Sequence, residues 1–200
     1  MVLTADKNIE FAVRALVSSR LAALAIRQVS FDVFPHPERD PGCRLRAHDF
    51  LRASLRTYEH ALVIFDRHGC GSEHRERAAI ESEVEAHLAG SGWGDRATTV
   101  VLDPELEAWV WGDAAQVEAH LGWDGAPNGL RPWLEQNGLW NTGDPKPHDP
   151  KEAVERVLYR ARKPRSSALY RRLAEAVSFS NCSDAAFHKF SLTLKTWFER

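Results

Sequence analysis

Long apolar runs are missing from this chain. None approaches the roughly 20 residues a helix needs to cross a bilayer, so the sequence predicts no membrane span. The first residues, Met1-Val2-Leu3-Thr4-Ala5-Asp6-Lys7, have no basic stretch followed by a long apolar one and predict no secretory signal. Cysteine is scarce: Cys43, Cys70 and Cys182 are odd in number and far apart, which predicts reduced thiols and a cytoplasmic protein. Excess charge is absent too. A formal net charge of −2 excludes a uniformly basic nucleic-acid binder, while leaving room for a local basic face. There is no internal repeat and no low-complexity tract. Gly69 and Gly71 are not followed by Gly-Lys-Ser/Thr, so they form no phosphate loop. His36, Cys43, His68, Cys70 and His74 lack the paired Cys-x-x-Cys or His-x-x-x-His spacing of a zinc site and read as thiols and imidazoles without a metal. Cys70 beside His68 suggests a nucleophile, but no orienting or oxyanion-stabilising residue accompanies it.

What is present is apolar pattern. With 200 residues and 44% hydrophobic content, the chain suits one globular domain, or one domain with an appendage. Seven tryptophans imply a large core payload or a contact surface. Val2–Ala5 is a short strand, and Ile9, Ala12, Val13, Leu16, Val17, Leu21 and Leu24 then mark an amphipathic helix. Val29–Phe34 alternates as a second strand, Pro35–Pro41 predicts a loop, and His48–Leu55 a short helix. His60–Asp66 is the clearest strand; a helix over Ser72–Leu88 follows, with Ser72 its expected cap and Ile80, Val84 and Leu88 its stripe.

Thr98–Leu102 predicts a fourth strand, stopped by Asp103-Pro104, where Glu105 and Glu107 suit the positive start of a helix and Gly112-Asp113 closes the unit. Beyond it Ala114–Leu121, Leu130–Gln136, Pro150–Arg162, Ser166–Phe179 and Ser183–Phe198 read as helices, with Gly122–Asn128 and Gly138–Asp149 as loops. The expected fold is α/β: a four-stranded, mainly parallel sheet over residues 1–113, with an all-helical extension over 114–200 packed on it.

Three inferred strands end in acids: Asp6, then Asp66, then Asp103, Glu105 and Glu107. In a parallel sheet those ends share one edge. Converging carboxylates suit a hard cation such as Mg²⁺, whereas each acid taken alone suits the cap of the helix after it. The arrangement resembles the TOPRIM-like fold, whose members carry an acid after the first strand and Asp-x-Asp after the third. More narrowly, Pro104-Glu105-Leu106-Glu107-Ala108-Trp109-Val110-Trp111-Gly112-Asp113, with Lys146-Pro147 and Pro150-Lys151 downstream, resembles TOPRIM-related bacterial proteins whose genes accompany restriction or ATPase genes in phage-defence islands. Most of the chain is also similar to a small accessory component of methylation-associated defence systems. The resemblance implies a Mg²⁺ site, with Mn²⁺ as a substitute, at Asp6, Asp66 and Glu107 with Glu105 as a spare carboxylate. It also implies catalytic roles for Asp66, Glu107 and Lys146; His68, where the family's second Asp would stand, reads as a catalytic base or a softer ligand in its place, or as a surface loop histidine. In this chain Asp6 stands where the family has Glu, and Asp66-Arg67-His68 replaces Asp-x-Asp.

Lys151–Arg172 carries eight basic residues (Lys151, Arg156, Arg160, Arg162, Lys163, Arg165, Arg171, Arg172) against Glu152 and Glu155, net +6. Lys151, Arg156, Arg160, Arg162, Lys163 and Arg165 are the candidates for a nucleic-acid backbone; the alternative is a solvated face balancing the acidic Glu73–Glu85 helix. The stripe Phe187, Phe190, Leu194 and Trp197 predicts a last helix docked on the core. Two readings stand. One is a divalent-metal-dependent nuclease or phosphoryl-transfer protein of an antiphage system. The other is an inactive TOPRIM-like subunit that binds DNA or a partner defence protein.

Overall fold

The computed structural model describes residues 1–112, 114–124, 129–178, 182 and 184–199. The expected positions of Asp113, 125–128, Phe179 and Ser183 lie outside the described residues. The sheet is four-stranded, ordered β2-β1-β3-β4, and every pairing is parallel. β1 (Val2–Thr4) leads into α1 (Lys7–Ser19) and the short α2 (Leu21–Leu24). β2 (Val33–Pro35) precedes α3 (Arg39–Leu51), β3 (Ala61–Asp66) precedes α4 (Arg77–Leu88), and β4 (Ala97–Leu102) closes the sheet. A 3₁₀ helix, Leu106–Gly112, follows β4. Then come α5 (Ala114–Leu121), α6 (Leu130–Gln136), α7 (Pro150–Arg160), α8 (Ser167–Ala176) and α9 (Ala185–Phe198).

β3 runs Ala-Leu-Val-Ile-Phe with every side chain buried, because helices cover both faces of a parallel sheet. Four expectations need correction. β2 is only three residues, since its one partner, β1, offers three: Val2 pairs with Val33 and Thr4 with Pro35. Proline is tolerated there because an edge strand has one side free of the ladder. The Pro35–Pro41 loop ends early: α3 starts at Arg39, and Pro41 falls in its first turn, where no backbone N–H has a helical acceptor. α4 starts at Arg77 with Glu76 before it, so Ser72 is not its cap. Glu73 instead accepts the Gly69 and Gly71 N–H groups at 2.8 and 3.1 Å, holding the loop after β3 in its own turn. The short helix expected over His48–Leu55 is the end of α3 with a 3₁₀ turn, Arg52–Ser54, after it, whereas the helix expected after Pro104 is present as the 3₁₀ helix.

The apolar interior is two clusters that meet along that 3₁₀ helix. Trp109 belongs with the sheet, α1, Tyr170, Phe187 and Phe190. Its neighbours Val110 and Trp111 belong with Val117, Leu134, Trp140, Val154 and Val157. The Trp109 indole donates to Asp184 Oδ1 at 3.0 Å, and the Trp111 indole to the Pro150 carbonyl at 3.1 Å. The division expected at residue 113 is thus blurred. α8 packs on α1, and α9 on β4, so part of the helical extension completes the core of the sheet. No helix among the described residues is long and apolar enough to cross a membrane.

Asp184 is the clamp of this joint. Its Oδ1 also accepts the Ala186 and Phe187 N–H groups, capping α9, and its Oδ2 receives Lys146 Nζ at 2.7 Å. Burial pushes its carboxyl up, but the bonds from Lys146, Phe187 and Trp109 outweigh this and hold it below the usual range. A depressed carboxyl contributes stability above its unfolded pKa and loses it as pH falls through the folded value. Asp184→Ala removes a cap and orphans a buried indole, and costs about 2–4 kcal/mol. Urea titrations of parent and variant at neutral and acidic pH check this: the gap narrows on acidification, and an equal gap at both would refute it.

Candidate functional site

β1 and β3 are adjacent, yet the chain winds outward from them in opposite directions, to β2 and to β4. A crevice lies beyond the strand ends at such a switch point. Asp6 follows β1, and Asp66 is the last residue of β3. Asp6 Oδ1 accepts the Asn8 and Ile9 N–H groups, both at 2.9 Å, and so caps α1. Asp66 Oδ1 accepts the Leu106 N–H at 2.9 Å, and the Asp66 N–H donates to Asp40 Oδ1 at 2.9 Å. Glu105 and Glu107 flank Leu106 and are buried, 3% and 1% exposed, far below the norm for carboxylates.

Burial at this depth demands partners. Glu107 Oε1 receives Arg165 Nη2 at 2.5 Å and the Tyr170 hydroxyl. Glu105 Oε2 receives Lys151 Nζ at 2.8 Å. Burial, then the Glu107 charge, push the Tyr170 hydroxyl up, so it keeps its proton and donates. The second oxygen of Glu107 is buried and accepts no hydrogen bond.

The acids press on one another. Removal from water drives the Asp66 carboxyl well above its ordinary value, and the charges of Asp40, Glu107, Asp6 and Glu105 raise it further. Burial likewise raises Asp40, with Asp6 adding to it against the opposing backbone hydrogen bonds. The four expected acids are therefore electrostatic neighbours, joined by Asp40. Asp40 went unnoticed because it sits in the proline-rich stretch read as loop, and Tyr170 because it sits on a core stripe 63 residues from Glu107. No local signal pairs either with the edge.

The other expected residues scatter. His68 lies at the rim, its side chain 69% exposed and Nδ1 3.9 Å from Glu105 Oε2. Lys146 serves Asp184. Lys151 and Arg165 leave the basic face to meet the acids, while Arg156 pairs with Glu152 at 3.4 Å and Arg160 lies over the rings of Trp123 and Trp133. Arg162 and Lys163 are in the turn after α7, where the Lys163 N–H donates to the Leu158 carbonyl. Cys43 and Cys70 are buried, and burial raises both thiols, which removes the nucleophile reading of Cys70.

Among the described residues no group of three or more His, Cys, Asp or Glu side chains is placed to hold a metal ion. As arranged, the acids do not fit Mg²⁺ or Mn²⁺: Asp6 is a helix cap, and Glu105 and Glu107 face cations of the protein itself. No known family model, curated protein or solved structure matches the chain.

Asp66 sets a test of this electrostatic picture. A carboxyl raised by folding contributes stability below its unfolded pKa and loses it as pH rises through the folded value. Asp66→Asn keeps the acceptor for Leu106 and removes the charge. Its melting temperature exceeds the parent's at neutral pH, and the advantage shrinks on acidification, as calorimetry across that range will register; an equal or lower melting temperature at neutral pH contradicts it.

Proposed function

We propose that this chain is a nucleic-acid-binding component of a bacterial antiphage defence system, TOPRIM-like in form and without catalytic activity of its own. One observation carries the second half of that reading: Lys151 and Arg165 sit on Glu105 and Glu107, the carboxylates a metal would need. A cation site closed by the protein's own cations has no room for a divalent ion and its waters. The binding half rests on the basic end of α7 and the turn after it, where Arg156, Arg160, Arg162 and Lys163 lie away from those pairs. The defence setting rests on the resemblance carried by Pro104–Asp113, above all by Pro104–Trp109. Partners in this reading are nucleic acid and other proteins of the same system.

The competing reading is Mg²⁺- or Mn²⁺-dependent phosphodiester hydrolysis. The buried, unpartnered oxygen of Glu107 favours it, together with an Asp66 surrounded by like charges. Plasmid, single-stranded DNA and RNA incubated with the protein and Mg²⁺, Mn²⁺ or chelator separate the two. No cleavage is expected, with DNA binding that weakens linearly in log salt and weakens again in Arg156→Ala/Arg160→Ala. Metal-dependent cleavage abolished by Asp66→Asn reverses the order of the readings.

A further inference from the structure

α7 buries Ala153, Val154, Val157 and Leu158 and turns its other face to water. On that face Tyr159 is 87% exposed, among the most exposed large side chains in the protein. It borders a groove of about 310 Å³ between α6 and α7, lined by Trp133, Asn137, Leu139, Arg156, Tyr159 and Arg160. The lining combines aromatic surface, two guanidinium groups and an amide. Arg160 is held over Trp123 and Trp133, 5.1 and 5.5 Å from their ring centroids, which fixes a positive charge at the groove. Arg156 pairs only loosely with Glu152, at 3.4 Å with both side chains exposed, and such a pair exchanges readily for a phosphate. The Asn137 amide nitrogen donates to the Trp133 carbonyl at 2.7 Å, leaving the amide oxygen as an acceptor. Glu135, on α6, is paired with Arg131 at 3.1 Å and so presents no bare charge to an incoming anion.

We infer that this groove is a site for one unpaired nucleotide of a single strand, its base stacked on Tyr159 and Trp133 and its phosphate met by Arg156 and Arg160. Stacking platforms beside backbone-tracking cations are how single strands are held without a sequence code. A paired base cannot stack there, because its faces are covered by its neighbours. This rests on the nucleic-acid reading of α7 and narrows it to unpaired strands.

The test uses the full chain and labelled oligothymidylate about 12 nucleotides long, an abasic strand of equal length, the matching duplex and oligouridylate. Anisotropy is expected to rank base-bearing single strand above both abasic strand and duplex. Tyr159→Ala weakens oligothymidylate about tenfold, leaves the abasic strand unchanged and, because Tyr159 is exposed, leaves the fold intact. Tyr159→Trp restores binding. Arg156→Ala weakens both strands and lowers the salt slope by about 0.7. Preference for oligothymidylate or for oligouridylate supports the site and identifies the strand as DNA or RNA. Equal affinity for base-bearing and abasic strands, or no effect of Tyr159→Ala, overturns the stacking site; a surviving Arg156→Ala effect then keeps the broader binding reading. A parent protein that binds no strand ends both.

Discussion

The structure turns on one buried carboxylate. Glu107 sits in the 3₁₀ helix after β4, 1% exposed, and its charge is tolerable only because Arg165, just before α8, and Tyr170, on α8, reach it. Removing Arg165 would strand a charge in a medium that solvates it poorly, a penalty of about 3–5 kcal/mol for a buried pair. The constraint works both ways. The sheet needs α8 in order to hold Glu107, and α8 in turn lies on α1. Glu105 and Lys151 repeat the arrangement one step earlier in the chain. The helical half is thereby fixed to the strand ends by charge as well as by apolar contact. The 3₁₀ helix between them gives Trp109 to one cluster and Trp111 to the other.

Such an edge is not optimised for stability alone. Asp66 is surrounded by like charges, and its carboxyl is raised accordingly. Sites where local rules are broken without local compensation are where function is expected. Here that expectation meets an opposing fact, since Glu105 and Glu107 are already paired with cations of the protein itself. Specific burial of ionic groups can also fix the register of packed elements. The pairs Glu105–Lys151 and Glu107–Arg165 tie α7 and the segment before α8 to the chain that follows β4.

How much of this was legible follows from the range of each interaction. β3, β4 and the stripe of α4 are periodic over a few residues, so Ala61–Asp66, Ala97–Leu102 and Ile80, Val84 and Leu88 could be read directly. Ends were harder. Pro41 looked like a breaker until its place in a first helical turn was known, and β2 is short because β1 is. The acids of the edge were legible because topology alone gathers strand ends. Their partners were not: Asp40 lies 26 residues from Asp66 and Arg165 58 from Glu107, and no pattern in sequence connects them. Lys146 is the converse case, a residue marked by its motif that lies on Asp184, the cap of α9.

The basic segment must be counted again once the pairs are known. Lys151–Arg172 has eight basic residues and two acids, net +6. Glu105 and Glu107 lie against two of those cations, so the group as folded carries 8 − 2 − 2 = +4. The cations left over are Arg156, Arg160, Arg162 and Lys163 on α7 and in the turn after it, and Arg171 and Arg172 on α8. A nuclease needs its carboxylates and its backbone-holding cations to converge on one phosphate, because the ion must reach the scissile bond. In this protein Lys151 and Arg165 reach the carboxylates and cancel them. Carboxylates already met by the protein's own cations favour the proposed reading, a protein that holds nucleic acid, over one that cuts it.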